Sequence, residues 1–92
     1  MTFQAVQKMM LMILQIQLFA IARQRLGRDQ IEVILADSAT AADLRRALAE
    51  QFPALADVLP HIRIAVNSSY AADSMAIPAG AEVALIPPVS GG

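Results

Sequence analysis

The residues with the most pointed chemistry stand at the end of the sequence, Pro87-Pro88-Val89-Ser90-Gly91-Gly92. Read as a free terminus, the α-carboxylate of Gly92 is ionised at neutral pH, since its reference pKa is about 3.5. It is a nucleophile rather than an electrophile. A partner that supplies ATP lets it attack the α-phosphate, and the product is a reactive acyl-adenylate. A sulfur nucleophile can then displace AMP and leave a terminal thiocarboxylate; an amine would give an amide instead. The neighbouring residue types suit such an end group. Two proline rings fix φ and push the residue before each of them toward extended geometry, which stiffens the base of the arm. Ser90, Gly91 and Gly92 carry almost no side-chain volume, so the tip can thread a narrow channel and approach another molecule's reactive centre.

Other candidates for chemistry are weaker. His61 is the sole histidine, between Pro60 and Ile62, with no cysteine or second histidine to share a metal; it reads as a solvent-facing loop residue. Asp37, Asp43, Asp57 and Asp73 fall among turns and caps, where aspartate makes local hydrogen bonds. Ser38, Ser68, Ser69 and Ser74 lack a nucleophile motif, and no glycine-rich phosphate loop or metal site is recognisable. The chain therefore reads as substrate and carrier, binding no cofactor itself, with ATP used by an activating partner and no catalysis by the domain alone.

The elements that must hold such a tail follow from periodicity. Glu82 to Ile86 reads as a strand leading straight into it. Leu14, Ile16 and Leu18 alternate with Gln15 and Gln17, so Met12 to Phe19 reads as a first, half-buried strand. Ala20 to Leu26 is short and helix-compatible, with Gly27 at a left-handed C-cap. Gln30 to Ala36 alternates again. Thr40 is the expected N-cap of the main helix, with Asp43 in its first turn. Leu44, Leu48 and Phe52 recur every four residues beside Ala41 and Ala47, while Arg45, Arg46, Glu50 and Gln51 lie off that stripe. Pro53 stops the helix, and Ala54 to Pro60 reads as an irregular turn under the sheet. Arg63 to Asn67 is a third strand, Asn67-Ser68-Ser69 a turn, and Tyr70 to Met75 a short edge piece. One amphipathic helix on one face of a mixed sheet is the simplest two-layer solution for this order.

Composition bounds the class. With 92 residues there is room for one core, and an apolar fraction of 57% with only 4% aromatics makes that core aliphatic. A formal charge of −1, with six of the seven basic residues being scattered arginines, leaves no footprint for nucleic acid. The absence of cysteine excludes disulfides and fits a reducing, cytoplasmic setting. The run Met9 to Ala22 imitates a signal peptide, but it is too short to span a membrane and the alternation at Gln15 and Gln17 marks a strand. Residues 1–11 carry no such pattern and read as an extension, with Met12 as an alternative start. The expected division is thus an extension at 1–11, a body at 12–86 and a tail at 87–92.

Four stretches give a resemblance covering about residues 12–92. They are Leu18-Phe19-Ala20 with the arginine-rich turn to Gly27, Thr40-Ala41-Ala42-Asp43-Leu44-Arg45, Ala65-Val66-Asn67, and Gly80 through Gly92 with its Ile86-Pro87-Pro88-Val89-Ser90-Gly91-Gly92 ending. The sequence resembles the small subunits of molybdopterin synthase, the MoaD-like sulfur carriers. Ser90 stands where many members have another small residue, and the extension at 1–11 departs from their pattern. The resemblance implies a ubiquitin-like β-grasp, with first and last strands side by side and one main helix packed on one face of a mixed sheet. It further implies that Gly92 is adenylated by an activating enzyme and converted to a thiocarboxylate. The tail then enters a large synthase subunit, in a heterotetramer of two small and two large subunits, and sulfur passes to cyclic pyranopterin monophosphate to build the dithiolene of molybdenum cofactor. Apolar residues left on the exposed sheet face would dock that partner; neither nucleic acid nor membrane is expected as one.

Other readings share parts of this pattern. A related carrier for thiamin, tungsten-cofactor or another sulfur pathway uses the same chemistry, although the double proline speaks against the thiamin type. A ubiquitin-like modifier would join Gly92 to lysines of other proteins. The chain's one lysine, Lys8, lies in the extension, so linked copies have little support. A structural interaction domain with an incidental tail is the remaining alternative.

Overall fold

Period-two alternation becomes two paired strands. The computed structural model of the protein describes residues 10–87. β1 (Leu11–Leu18) buries Met12, Leu14, Ile16 and Leu18, and β2 (Gln30–Ala36) buries Ile31, Val33 and Leu35. They pair antiparallel from Leu11↔Ala36 to Gln17↔Gln30. β1 begins at Leu11, one residue before the expected start of the body, and ends at Leu18, one before the expected end.

Between them the chain turns sharply. Ala20 at φ 50 leads into a short helix, α1 (Ala20–Leu26), and Phe19 is left 45% exposed. Gly27 closes α1 at φ 66, with its N–H donating to Arg23 C=O at 2.7 Å. That left-handed cap is the position where a side chain would be strained. Arg25 ties α1 to the next layer through a two-pronged pair with Asp57, at 2.7 and 3.2 Å, and a 3.0 Å bond to Ala54 C=O. The guanidinium holds the Asp57 carboxyl below its ordinary range, mainly by direct hydrogen bonding.

The main helix, α2 (Ala41–Gln51), starts at a reciprocal cap. Thr40 Oγ1 accepts from Asp43 N–H at 3.2 Å, and Asp43 Oδ2 accepts from Thr40 N–H at 2.9 Å. Two further N–H groups of the first turn, Ala41 and Ala42, donate to the carbonyls of Met75 and Asp73. The expected edge piece at 70–75 is accordingly mostly a loop: its peptide groups are engaged with the start of the helix. Ala41, Leu44 and Leu48 are fully buried, and Phe52, now the C-cap residue, is half-buried. Two turns of 3-10 helix, Pro53–Leu55 and Leu59–His61, fill the span expected to be irregular and bury Leu55 and Leu59. Arg45 fixes the second of them by donating from Nη1 to Leu59 C=O and Ile62 C=O.

β3 (Arg63–Val66) and β4 (Ser69–Tyr70) form a hairpin around Asn67-Ser68, both at positive φ of 51 and 72. That is what a two-residue turn matching the strand twist requires. β5 (Val83–Ile86) completes a five-stranded sheet in the order β2-β1-β5-β3-β4, parallel to β1 and antiparallel to β3. The first and last strands are neighbours, and the architecture is the ubiquitin-like β-grasp. Among the described residues there are two α-helices where one was expected to dominate; α1 is a single short element on the path between β1 and β2.

Two measurements check this packing. Leu44→Ala or Leu48→Ala removes a side chain with no exposure, and each should cost roughly 2–5 kcal/mol in denaturant unfolding. The Asp43 carboxyl is held below the ordinary aspartate value of 3.8, first by the Thr40 backbone N–H and then by the Thr40 side chain. A group whose pKa falls on folding adds stability that is complete above the unfolded value and lost as pH drops through the folded one. Asp43→Asn should therefore flatten the loss of stability below about pH 4, measured as melting temperature against pH, while leaving the neutral-to-alkaline limb parallel to wild type.

Candidate functional site

The tail is rooted in the middle of the sheet. β5 has β1 on one side, in register Ile16↔Val83 to Leu18↔Leu85, and β3 on the other, from Val66↔Val83 to Arg63↔Ile86. Val83 and Leu85 point into the core with no exposure, whereas Ala84 and Ile86 line the opposite face. Pro87 follows directly and is half-buried. Of the expected tail residues it is the one within the described span; Pro88, Val89, Ser90, Gly91 and Gly92 lie outside it.

The start of β5 is clamped as well. Asn67 N–H donates to Glu82 C=O at 2.8 Å, and Asn67 Oδ1 accepts from Glu82 N–H at 2.9 Å. The sequence identifies Asn67 as a turn residue, and the positive φ bears that out. Its second task, a side-chain bond that continues the β3–β5 ladder past Val83, has no local sequence signal.

The sheet has one covered and one open face. On the open face, Gln17, Phe19, Ala65, Tyr70, Ala84 and Ile86 line a groove of about 600 Å³ that ends where Pro87 leaves the sheet. Phe19 and Tyr70 are 45% and 60% exposed, and the Arg63 guanidinium lies 4.9 Å from the centre of the Tyr70 ring. A cation over an aromatic face keeps both groups in place at the rim. The expected apolar residues on the exposed face are present, in two groups. One surrounds the tail root; the other is Leu11, Ile13 and Ile34 at the far end of β1 and β2. Gln15, Gln17 and Gln30 separate them, linked by side-chain bonds of 3.3 and 3.4 Å.

The remaining candidates do not gather. His61 is exposed on its 3-10 turn, Asp57 is paired with Arg25, Asp43 caps α2, and Asp73 is 3.5 Å from Arg45. Among the described residues no three His, Cys, Asp or Glu side chains are placed to hold a metal ion. No described helix is long and apolar enough to cross a membrane. What the arrangement offers chemically is a folded body and an apolar groove, with Pro87 leaving the sheet beside it.

The model of the ThiS family matches residues 16–92, from the middle of β1 through the diglycine. The chain belongs to the ThiS family. It is 36% identical over 81 residues to the molybdopterin synthase sulfur carrier subunit of Dictyostelium discoideum, spanning 85% of this chain and 94% of the relative. The corresponding subunit of Arabidopsis thaliana is 32% identical over 79 residues, spanning 86% of this chain and 82% of the relative. Among solved structures, small archaeal modifier protein 1 of Haloferax volcanii superposes with a TM-score of 0.75 at 32% identity, over 85% of this chain and 99% of that one. A chain from the complex of subunits 1 and 2 of the Helicobacter pylori molybdopterin-converting factor shares the fold, with a TM-score of 0.60 at 21% identity, over 88% of this chain and all of that one (100%). Like these neighbours, this ThiS-family chain is a ubiquitin-like β-grasp; its own last strand lies between the first and third.

Asn67 gives a direct check on how this family member holds its last strand. Asn67→Gly keeps the positive φ and deletes the side-chain bond, and should lower stability by about 1 kcal/mol. Asn67→Ala, strained at φ 51, should cost about 1–2 kcal/mol more. In both, the Glu82 amide should exchange faster with solvent deuterium, and an unchanged rate would show that the clamp is not what holds the start of β5.

Proposed function

We propose that the protein is a sulfur carrier of molybdenum-cofactor synthesis, the small subunit of a molybdopterin synthase. Its body is a handle and its reactive atom is at Gly92. An activating enzyme brings ATP; the Gly92 carboxylate attacks the α-phosphate and pyrophosphate leaves. A sulfur donor then displaces AMP, and the acyl group becomes a thiocarboxylate. The tail Pro87-Pro88-Val89-Ser90-Gly91-Gly92 enters a large synthase subunit, where sulfur passes to cyclic pyranopterin monophosphate. Water supplies the oxygen that restores the carboxylate. Two such deliveries make the dithiolene, in keeping with a heterotetramer of two small and two large subunits working in the cytoplasm.

The observation that carries this reading is the position of β5. Because β5 is hydrogen-bonded on both sides, Pro87 leaves the sheet at a fixed point, beside a groove with exposed Phe19 and Tyr70. A partner that seats on the groove therefore meets the root of the tail, Pro87, at a fixed place. The names of the D. discoideum and A. thaliana relatives support the pathway, and the H. pylori complex supports a large-subunit partner. The likeness to small archaeal modifier protein 1 favours a second reading, in which the activated Gly92 is joined to lysines of other proteins.

One experiment separates these readings. Incubated with an activating enzyme, ATP and a sulfur donor, the intact chain should gain the mass difference between one sulfur and one oxygen. Conjugates of higher mass with no such shift would favour the modifier. Deleting Gly92, or adding one residue after it, should abolish sulfur transfer and leave thermal melting unchanged. Either variant restoring cofactor synthesis in cells that lack their small subunit would refute a role for the terminus.

A further inference from the structure

β2 is a border strand, and its outward side presents peptide groups that another strand could join. The pairing with β1 identifies them. Leu18 N–H donates to Asp29 C=O and Asp37 N–H to Met10 C=O, both at 2.8 Å, and the register carries the same alternation between these ends. In an antiparallel pair the residues between the bonded ones turn their N–H and C=O away. The outward groups therefore belong to Gln30, Glu32, Ile34 and Ala36. Ala36 C=O is used locally, accepting from Ala39 N–H at 3.1 Å.

At Ile34 a side chain stands where a strand would. Gln51, the last residue of α2, donates from Nε2 to Ile34 C=O at 2.8 Å and accepts at Oε1 from Ile34 N–H at 3.1 Å. A primary amide with one donor and one acceptor in use reproduces the pattern of a peptide group on a neighbouring strand. Among the described residues nothing does the same for the outward groups of Gln30 and Glu32.

We propose that Gln51 is an edge guard, and that the partner it excludes is β2 of a second copy of this chain. Two copies related by a two-fold axis would pair β2 with β2 antiparallel. Any register longer than Gln30 to Glu32 must use the Ile34 peptide, which Gln51 holds. The symmetric register that remains, centred on Ile31, pairs Gln30 with Glu32 and goes no further; the register centred on Glu32 pairs Gln30 with Ile34 and also sets two carboxylates directly opposite each other, where they repel. Apolar reward for the longer registers is present. Ile34, Ile13 and Leu11 are 51%, 60% and 66% exposed, and they form a strip that would continue across the joined sheets. The edge thus has the hydrogen-bonding groups and apolar surface of a homotypic interface, closed by one amide and one charge.

The test uses the full chain in four forms: wild type, Gln51→Ala, Gln51→Ala/Glu32→Gln, and the last with Ile34→Lys added. Gln51 and Ile34 are both exposed, so each form should keep the wild-type fold, checked by melting. In dilute Gln51→Ala the Ile34 amide should exchange about tenfold faster than in wild type, with the inward Leu35 amide unchanged. Wild type should sediment as a monomer. The Gln51→Ala/Glu32→Gln form should sediment as a concentration-dependent dimer, and adding Ile34→Lys should return it to monomer, because a charge then replaces the apolar side chain at the seam of every register that uses the Ile34 peptide. Unchanged Ile34 exchange in Gln51→Ala overturns the proposal. So does a double variant that stays monomeric, a dimer indifferent to Ile34→Lys, or a wild type that already dimerises through this edge.

Discussion

Everything in this molecule turns on the parallel contact between β1 and β5. Parallel neighbours cannot be joined by a tight turn; the chain must leave the sheet, cross a face and return. Here the whole stretch from α1 to β4 makes that excursion, and α2 is the part that covers the face. When β5 returns it enters between β1 and β3, not at a border. Val83 and Leu85 then close the aliphatic core against Leu44 and Leu48, all four with no exposure. The same insertion sets where Pro87 emerges. Closing the core and placing Pro87 are one event.

The two faces of the sheet divide the labour. On the covered face, alternate residues of β1, β2, β3 and β5 meet α2 and the two 3-10 turns, with no buried polar or charged residue among those described. The polar groups that must approach this layer are settled at its rim. Arg45 takes the carbonyls of Leu59 and Ile62, and the loop at 71–77 takes the first N–H groups of α2. On the open face, apolar side chains are tolerated because glutamines part them into two groups. Large continuous apolar patches associate indiscriminately; the division leaves one group beside Pro87 and the other at the far end of β1 and β2.

Much of this could be read from local sequence, for a physical reason. A strand with one covered face must alternate, so β1 and β2 announce themselves through Leu14-Gln15-Ile16-Gln17-Leu18 and Ile31 to Leu35. A helix start needs acceptors for its free N–H groups, so Thr40 and Asp43 mark α2, and Gly27 marks the end of α1. What local sequence lacks is any record of which strands become neighbours. That the first and last strands lie side by side is implied by the family resemblance, not by periodicity. Of the expected edge piece at 70–75 Tyr70 alone is strand, in β4, because the Asp73 and Met75 carbonyls are taken by α2, a contact across more than thirty positions of chain order. Gln51 looked like an ordinary exposed helix residue, and Asn67 an ordinary turn residue, because their partners Ile34 and Glu82 are equally remote in sequence. The tip of the tail, Pro88 to Gly92, was the most suggestive stretch in the sequence and lies outside the described residues.

The two borders of the sheet are protected by different means, and the difference follows from their lengths. β4 has two residues, too few to template another strand, and needs no guard. β2 has seven, along which alternate peptides face outward. Shortening β2 would not remove the hazard without cost, because Ile31, Val33 and Leu35 are three of the eleven buried residues on the described strands. The solution compatible with a long border strand is to occupy its outward groups from within the chain. Because α2 ends beside Ile34, a single residue at its last position can do this, and glutamine is suited to it: its amide offers the donor and acceptor that Ile34 requires, whereas glutamate would bring a second carboxylate toward the Ile34 carbonyl. Under the proposed carrier function one open surface is needed, the groove beside Pro87, and closing β2 keeps the other exposed border of the sheet from copies of the same chain.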